Sequence, residues 1–121
     1  NRDRMTEEVI EGYRFHMQSY DERGAFLRFP RMIPLGEKNK ENTAYDIIKQ
    51  IEEQLPRLDI PALIIWGEPD DVFPKEWAER FYEILPRAEK PIYVNAKHFI
   101  QEDEPEFICR ELIRFLRSLK E

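Results

Sequence analysis

Ile60-Pro-Ala-Leu-Ile-Ile-Trp-Gly67, running on into Glu68-Pro-Asp-Asp-Val-Phe-Pro74, is the stretch that decides how this chain is read. Ile60 to Gly67 does not alternate apolar and polar positions, so it fits a strand buried on both faces, as parallel strands are. Pro74 then opens a helix with Trp77, Ala78, Phe81, Tyr82 and Leu85 along one side. Pro91-Ile-Tyr-Val-Asn95 reads as a second short strand. A last helix follows, carrying Phe107, Ile108, Leu112, Ile113, Phe115, Leu116 and Leu119. Strand, helix, strand, helix is a βαβα unit with a parallel sheet, so the fold class is α/β. Only two strong strands are visible, and a two-stranded sheet is marginal in water. The expectation is an incomplete fold whose partner strands come from elsewhere.

Upstream, the signals are helical. Thr6 is a good N-cap, and Val9, Ile10, Tyr13 and Met17 recur at three- and four-residue steps. Gly24 to Gly36 is apolar but broken by Pro30 and Pro34, which predicts short helix and irregular loop. Residues 37–42 are the most linker-like. Thr43 with Asp46 resembles a capping box, and Ala44, Ile47, Ile48, Ile51 and Leu55 mark one face of a helix ending before Pro56. Asp103 with Glu106 gives a second such signal, with Pro105 near the first turn.

Composition narrows the function classes. An apolar share of 41% among 121 residues supports a core, which argues against disorder. A net charge of -6 argues against nucleic acid and anionic membrane surfaces as partners. One cysteine excludes an internal disulfide framework and suits a reducing, cytoplasmic setting. No apolar run is long enough for a membrane span, and Asn1-Arg2-Asp3-Arg4 lacks the apolar region of a secretory signal. A chain opening on Asn rather than Met is expected to be a fragment or a cut product.

In open parallel sheets, ligands bind beyond the carboxyl ends of the strands. Two loops leave those ends here: residues 67–74, with Glu68, Asp70 and Asp71, and residues 96–103, with His98. An Asp–His hydrogen bond between them is geometrically plausible. Such a pair fixes the tautomer of a general base and stabilises its charged form.

The spacing Gly67-x-x-Asp70-x-Val72-x-Pro74, followed by His98-Phe99-Ile100-Gln101-Glu102-Asp103 and Pro105-Glu106, resembles the acid and histidine motifs of the α/β-hydrolase superfamily, whose chain order is nucleophile, acid, histidine. The resemblance is closer to haloalkane dehalogenases and related epoxide hydrolases. Phe26-Leu-Arg-Phe-Pro-Arg-Met-Ile-Pro34 looks like the end of the dehalogenase cap. The resemblance implies the C-terminal portion of an α/β-hydrolase fold: the end of a helical cap at 1–42, then hydrolase core at 43–121. It implies hydrolysis of a small organic substrate, a halogenated alkane or an epoxide, without metal or cofactor. His98 would be the base that activates water against a covalent intermediate, and Asp70 the acid that orients it. Pro30 would sit beside a leaving halide, with Phe29, Ile33, Val72 and Phe99 lining the pocket. The nucleophile has no counterpart here, since neither G-x-S-x-G nor an aspartate elbow occurs. An N-terminal hydrolase segment or a partner chain would complete the sheet, and the chain alone is expected to be inert. Lys97 departs from the glycine that usually precedes the histidine. Some dehalogenases take their acid from an earlier strand, which leaves Asp70's role open.

Plainer readings stand beside these. His98 is otherwise a structural loop histidine, Asp70 and Asp71 turn or cap residues, and Glu102 and Asp103 solvated capping residues. His16 has no second ligand at metal spacing, and Cys109 reads as a buried free cysteine near core positions. Two further functions remain open. One is a non-catalytic binding or assembly module of hydrolase ancestry, pairing its sheet edge with a partner. The other is a serine esterase or C–C bond hydrolase that uses the same acid and base.

Overall fold

A computed structural model of the chain describes residues 4–34, 42 and 44–120. The chain divides into two compact units, Arg2–Gln54 and Leu55–Glu121. No helix among the described residues is long and apolar enough to cross a membrane.

The first unit is helical. Helix α1 (Glu7–Arg14) starts where the sequence predicts, because Thr6 sits in extended backbone and its Oγ1 accepts the Val9 N–H at 3.4 Å. Glu7 and Glu8 in its first turn and Arg14 in its last complement the helix dipole. The helix stops at Arg14, short of Met17, so His16 lies in the turn beyond it, edge-on to the Phe15 ring.

Helix α2 (Gly24–Met32) takes up most of the segment expected to be short helix and loop. Pro30 lies inside it, two residues from its end, so the missing N–H costs one backbone bond and no more of the helix follows. Entry to α2 is fixed by a reciprocal pair. The Ser19 N–H donates to Glu22 Oε2 at 2.8 Å, and the Glu22 N–H donates to Ser19 Oγ at 3.2 Å.

Before α3 (Tyr45–Gln54), Asn42 makes the turn: its Oδ1 accepts the Ala44 N–H and its carbonyl accepts the Tyr45 N–H, both at 2.9 Å. Thr43, Gly36 and most of the linker-like segment lie outside the described residues.

The second unit opens on a 3-10 turn, Leu55–Arg57, which accommodates Pro56. Strand β1 (Ile65–Gly67) and strand β2 (Ile92–Val94) then pair in parallel, with Ile65 opposite Ile92, Trp66 opposite Tyr93 and Gly67 opposite Val94. The pairing is the one expected, though each strand is shorter than its apolar run. Pro61 and Pro91 have no N–H to give to a ladder, and regular pairing begins only after them. An isolated parallel bridge, Ala62 to Ala88, extends the contact backwards.

Helix α4 (Glu76–Ile84) crosses between the strands and starts two residues after Pro74, with Phe81 against the Trp66 indole. A short helix α5 (Ile100–Asp103) leads into α6 (Pro105–Ser118), where Pro105 takes the first turn as its ring favours. The α6 N-cap is Glu104, without a side-chain cap bond, one residue after the Asp103 expected to start the helix. The core holds Ile64, Ala78, Val94, Ala96 and Phe115. Cys109 is exposed rather than buried. Six positions before Phe115, it lies roughly 120° around α6 from that buried side chain at about 100° per residue.

Gly67 is the tightest point of this unit. A Cβ there would run into the carbonyl oxygen of Ala96 and lie 2.7 Å from that of Lys97, both backbone atoms with no room to yield. Gly67→Ala is therefore expected to cost about 1–3 kcal/mol, read as a lower urea midpoint. An unchanged midpoint would mean the two loops are not in contact.

Candidate active site

The acid loop is built by its own backbone. Asp70 Oδ1 accepts the N–H groups of Val72 (2.8 Å) and Phe73 (3.1 Å), an Asx turn that folds residues 70–73 around the carboxylate. The Trp66 indole N–H donates to the Phe73 carbonyl at 2.8 Å, tying the far side of the loop to β1. Asp70's second oxygen is thereby aimed away from its own loop. It meets His98 Nδ1 at 3.0 Å, across the loop that leaves β2. The rim juxtaposition expected from a parallel pair is present.

Burial is uneven across this pair: the Asp70 side chain is 5% exposed and that of His98 34%. Desolvation pushes the Asp70 carboxyl up. The His98 hydrogen bond, the two backbone N–H groups and the nearby imidazole charge outweigh it, and the carboxyl sits below its ordinary range. Asp70 is thus an anion at neutral pH and can only accept. His98 Nδ1 therefore carries the proton, which places the ring's lone pair on Nε2. That is the tautomer a general base needs.

The surroundings are aromatic. The Phe73 ring lies 5.3 Å from the His98 ring and the Phe99 ring stands edge-on at the same distance. Val72 and Phe99, expected to line a pocket, flank Asp70 and His98 on their loops and are exposed. Phe29 and Pro30 lie in the closing turns of α2, with Ile33 as its C-cap, in the other unit; Phe29 and Ile33 are exposed.

Sequence reasoning did not anticipate three contacts: Phe73 packs on His98, the Trp66 indole ties down the loop of Asp70, and Asp71 meets Lys97 at 2.8 Å beside the Asp70–His98 bond. Lys97 holds the Asp71 carboxyl below its ordinary range, and Asp71 in turn raises the Lys97 ammonium.

Acid should unmake the site from the Asp70 side. A carboxylate whose folded pKa is lowered contributes stability that is full above its unfolded value, near ~3.9. That stability is lost as pH falls through the lower folded value. Asp70→Asn should therefore cost about 1–3 kcal/mol at neutral pH, the scale of hydrogen bonds to a charged group. Paired urea titrations should show the gap to the parent closing below about pH 4; a pH-independent gap would contradict the assignment.

Comparison with known proteins places this chain in a family. Residues 4–105 match the model of the α/β-hydrolase fold family. A cis-3-alkyl-4-alkyloxetan-2-one decarboxylase of Shewanella oneidensis is 30% identical over 93% of this chain and 35% of its own length. A haloalkane dehalogenase of Bradyrhizobium diazoefficiens is 25% identical over 97% of the chain and 37% of its own length. The fold is shared with a crystal structure of an α/β-hydrolase enzyme from the metagenome of lagoon sediments of Mar Chica, Morocco. Its TM-score is 0.58 at 22% identity, covering 97% of this chain and 47% of that one. The chain thus spans about a third of the length of these curated relatives. With most of its residues matched, including Asp70 and His98, this chain belongs to the α/β-hydrolase fold family.

Proposed function

We propose that this chain supplies the water-activating half of a hydrolase of the haloalkane dehalogenase type. In this reading 1–42 is the end of the cap and 43–121 the C-terminal part of the core. The observation that carries it is the 3.0 Å contact between His98 Nδ1 and a nearly buried, anionic Asp70. An aspartate on a strand outside residues 1–121 would displace halide from an alkyl carbon and form an ester. His98 Nε2 then takes a proton from water as its oxygen attacks the ester carbonyl. Asp70 stabilises the imidazolium through Nδ1–H; the tetrahedral adduct collapses with cleavage of its bond to the alkoxide, which takes the imidazolium proton and departs as the alcohol, and the aspartic acid left behind loses its proton to solvent. Phe29, Pro30, Ile33, Val72 and Phe99 are the proposed substrate contacts, Pro30 beside the halide. The open edges of the two-stranded sheet are the proposed docking line for the remaining hydrolase strands, from an N-terminal segment or a partner chain.

A second reading is favoured by the 30% identity to the oxetan-2-one decarboxylase. In that reading the ring C–O and C–C bonds of a four-membered lactone break to give an alkene and carbon dioxide with no net uptake of water or protons, and His98 with Asp70 would hold and return any proton moved on the way. Halide release and carbon dioxide release, measured on an intact enzyme carrying this segment, separate the two.

The purified 121-residue chain is expected to release neither, because base and acid alone leave no bond-making group. In the intact enzyme His98→Gln should trap the covalent ester, seen as a mass adduct after one turnover, with steady-state turnover down by on the order of 10²–10⁴-fold. Histidine-dependent turnover by the chain alone, or an intact His98→Gln enzyme that turns over normally without an adduct, would refute the reading.

A further inference from the structure

The bond between Asp70 and His98 is one of two adjacent cross-links between the same loops. Position 71 follows the acid and position 97 precedes the base, and their side chains meet at 2.8 Å. We propose that Asp71 and Lys97 are positioning residues whose ion pair clamps the acid loop to the base loop and keeps Asp70 and His98 in hydrogen-bond register. The proposal rests on the dyad reading above.

The geometry explains why a clamp is useful here. The acid loop is fixed from within by the Asx turn and from below by Trp66. The base loop is held at its start. It leaves β2 at Val94, whose carbonyl accepts the Glu68 N–H at 2.8 Å, and then passes over Gly67 in irregular backbone. Beyond that start the Asp70–His98 bond joins the two loops through side chains, and a second side-chain link one residue away restricts rotation about it.

Charge supports the arrangement. Asp71 stands next to Asp70, whose anion opposes it, and Lys97 is the cation that offsets both. Without Lys97, Asp71 would be driven away from the rim. An isolated surface pair this exposed contributes little to global stability. The effect expected is therefore local, on the register of the neighbouring bond rather than on the fold.

The test is NMR at neutral pH on the isotope-labelled intact enzyme that carries this segment. It follows solvent exchange of the His98 Nδ1–H, identified by its absence in His98→Gln. Asp71→Asn and Lys97→Met should each speed that exchange roughly two- to fivefold, the range equivalent to the measured worth of exposed ion pairs. Lys97→Arg should restore the parent rate. About 1 M salt, which shortens the screening length to ~3 Å, should speed exchange in the parent and leave the two single variants unchanged. Parent-like exchange in both single variants overturns the clamp while leaving the dyad intact. An effect in only one of them overturns it too, since a cross-link needs both ends. A folded parent enzyme, with its Ile92 and Glu68 amides protected, that lacks the Nδ1–H signal overturns dyad and clamp together. Protection of the Ile92 and Glu68 amides, which report the strand pairing, should stay at the parent level. Its loss in a variant would count against a purely local role.

Discussion

Parallel strands must leave a sheet in the same direction, and this constraint puts an aspartate and a histidine on one rim of the molecule. Residues 70 and 98 follow strands that run side by side, so the two loops are neighbours before any side chain interacts. The price of using a carboxylate there is desolvation, which for an uncompensated anion is several kcal/mol. Asp70 offsets it with three donors: two backbone N–H groups on one oxygen and the imidazole on the other. The turn that satisfies the first oxygen also aims the second. Local folding of the loop and orientation of the base are thus one event.

The same logic explains which parts of the molecule were legible in sequence. The order of strands and helices followed from apolar runs whose length and periodicity differ between strand and helix. The rim position of Asp70 and His98 followed from that order alone. Thr6 was readable because an N-cap signal is local, one side chain acting on a backbone group three residues away. Strand length was not readable from hydrophobicity, since the proline positions set where the ladder can start, and Ile60 to Ile64 are apolar without being paired as regular strand.

Other features were written in the sequence but passed over, or needed three dimensions. Ser19 and Glu22 carry the spacing of a capping box just ahead of the apolar segment that becomes α2. At the other such signal a separate short helix ends at Asp103, which moves the cap of α6 to Glu104. Trp66 belongs to the apolar run read as a strand, and it lies on β1. That its indole N–H would reach the Phe73 carbonyl depends on how the acid loop folds back, which no periodicity encodes. The Asp71–Lys97 pair likewise joins residues 26 apart and exists only because the strands are adjacent.

An oriented histidine does not by itself select a reaction. With Nδ1–H bound to an anion, Nε2 accepts a proton from whatever lies in front of it. Asp70 supports the resulting charge equally well for any ester, however that ester was formed. What distinguishes displacement of a halide from opening of a lactone is the group that attacks carbon and the walls that hold the substrate. The residues proposed as substrate contacts, Phe29, Pro30, Ile33, Val72 and Phe99, are apolar, which would suit substrates with little polar surface. In the proposed reading the nucleophile and the substrate contacts therefore select the reaction, because nothing in the geometry of the Asp70–His98 pair depends on the identity of the leaving group.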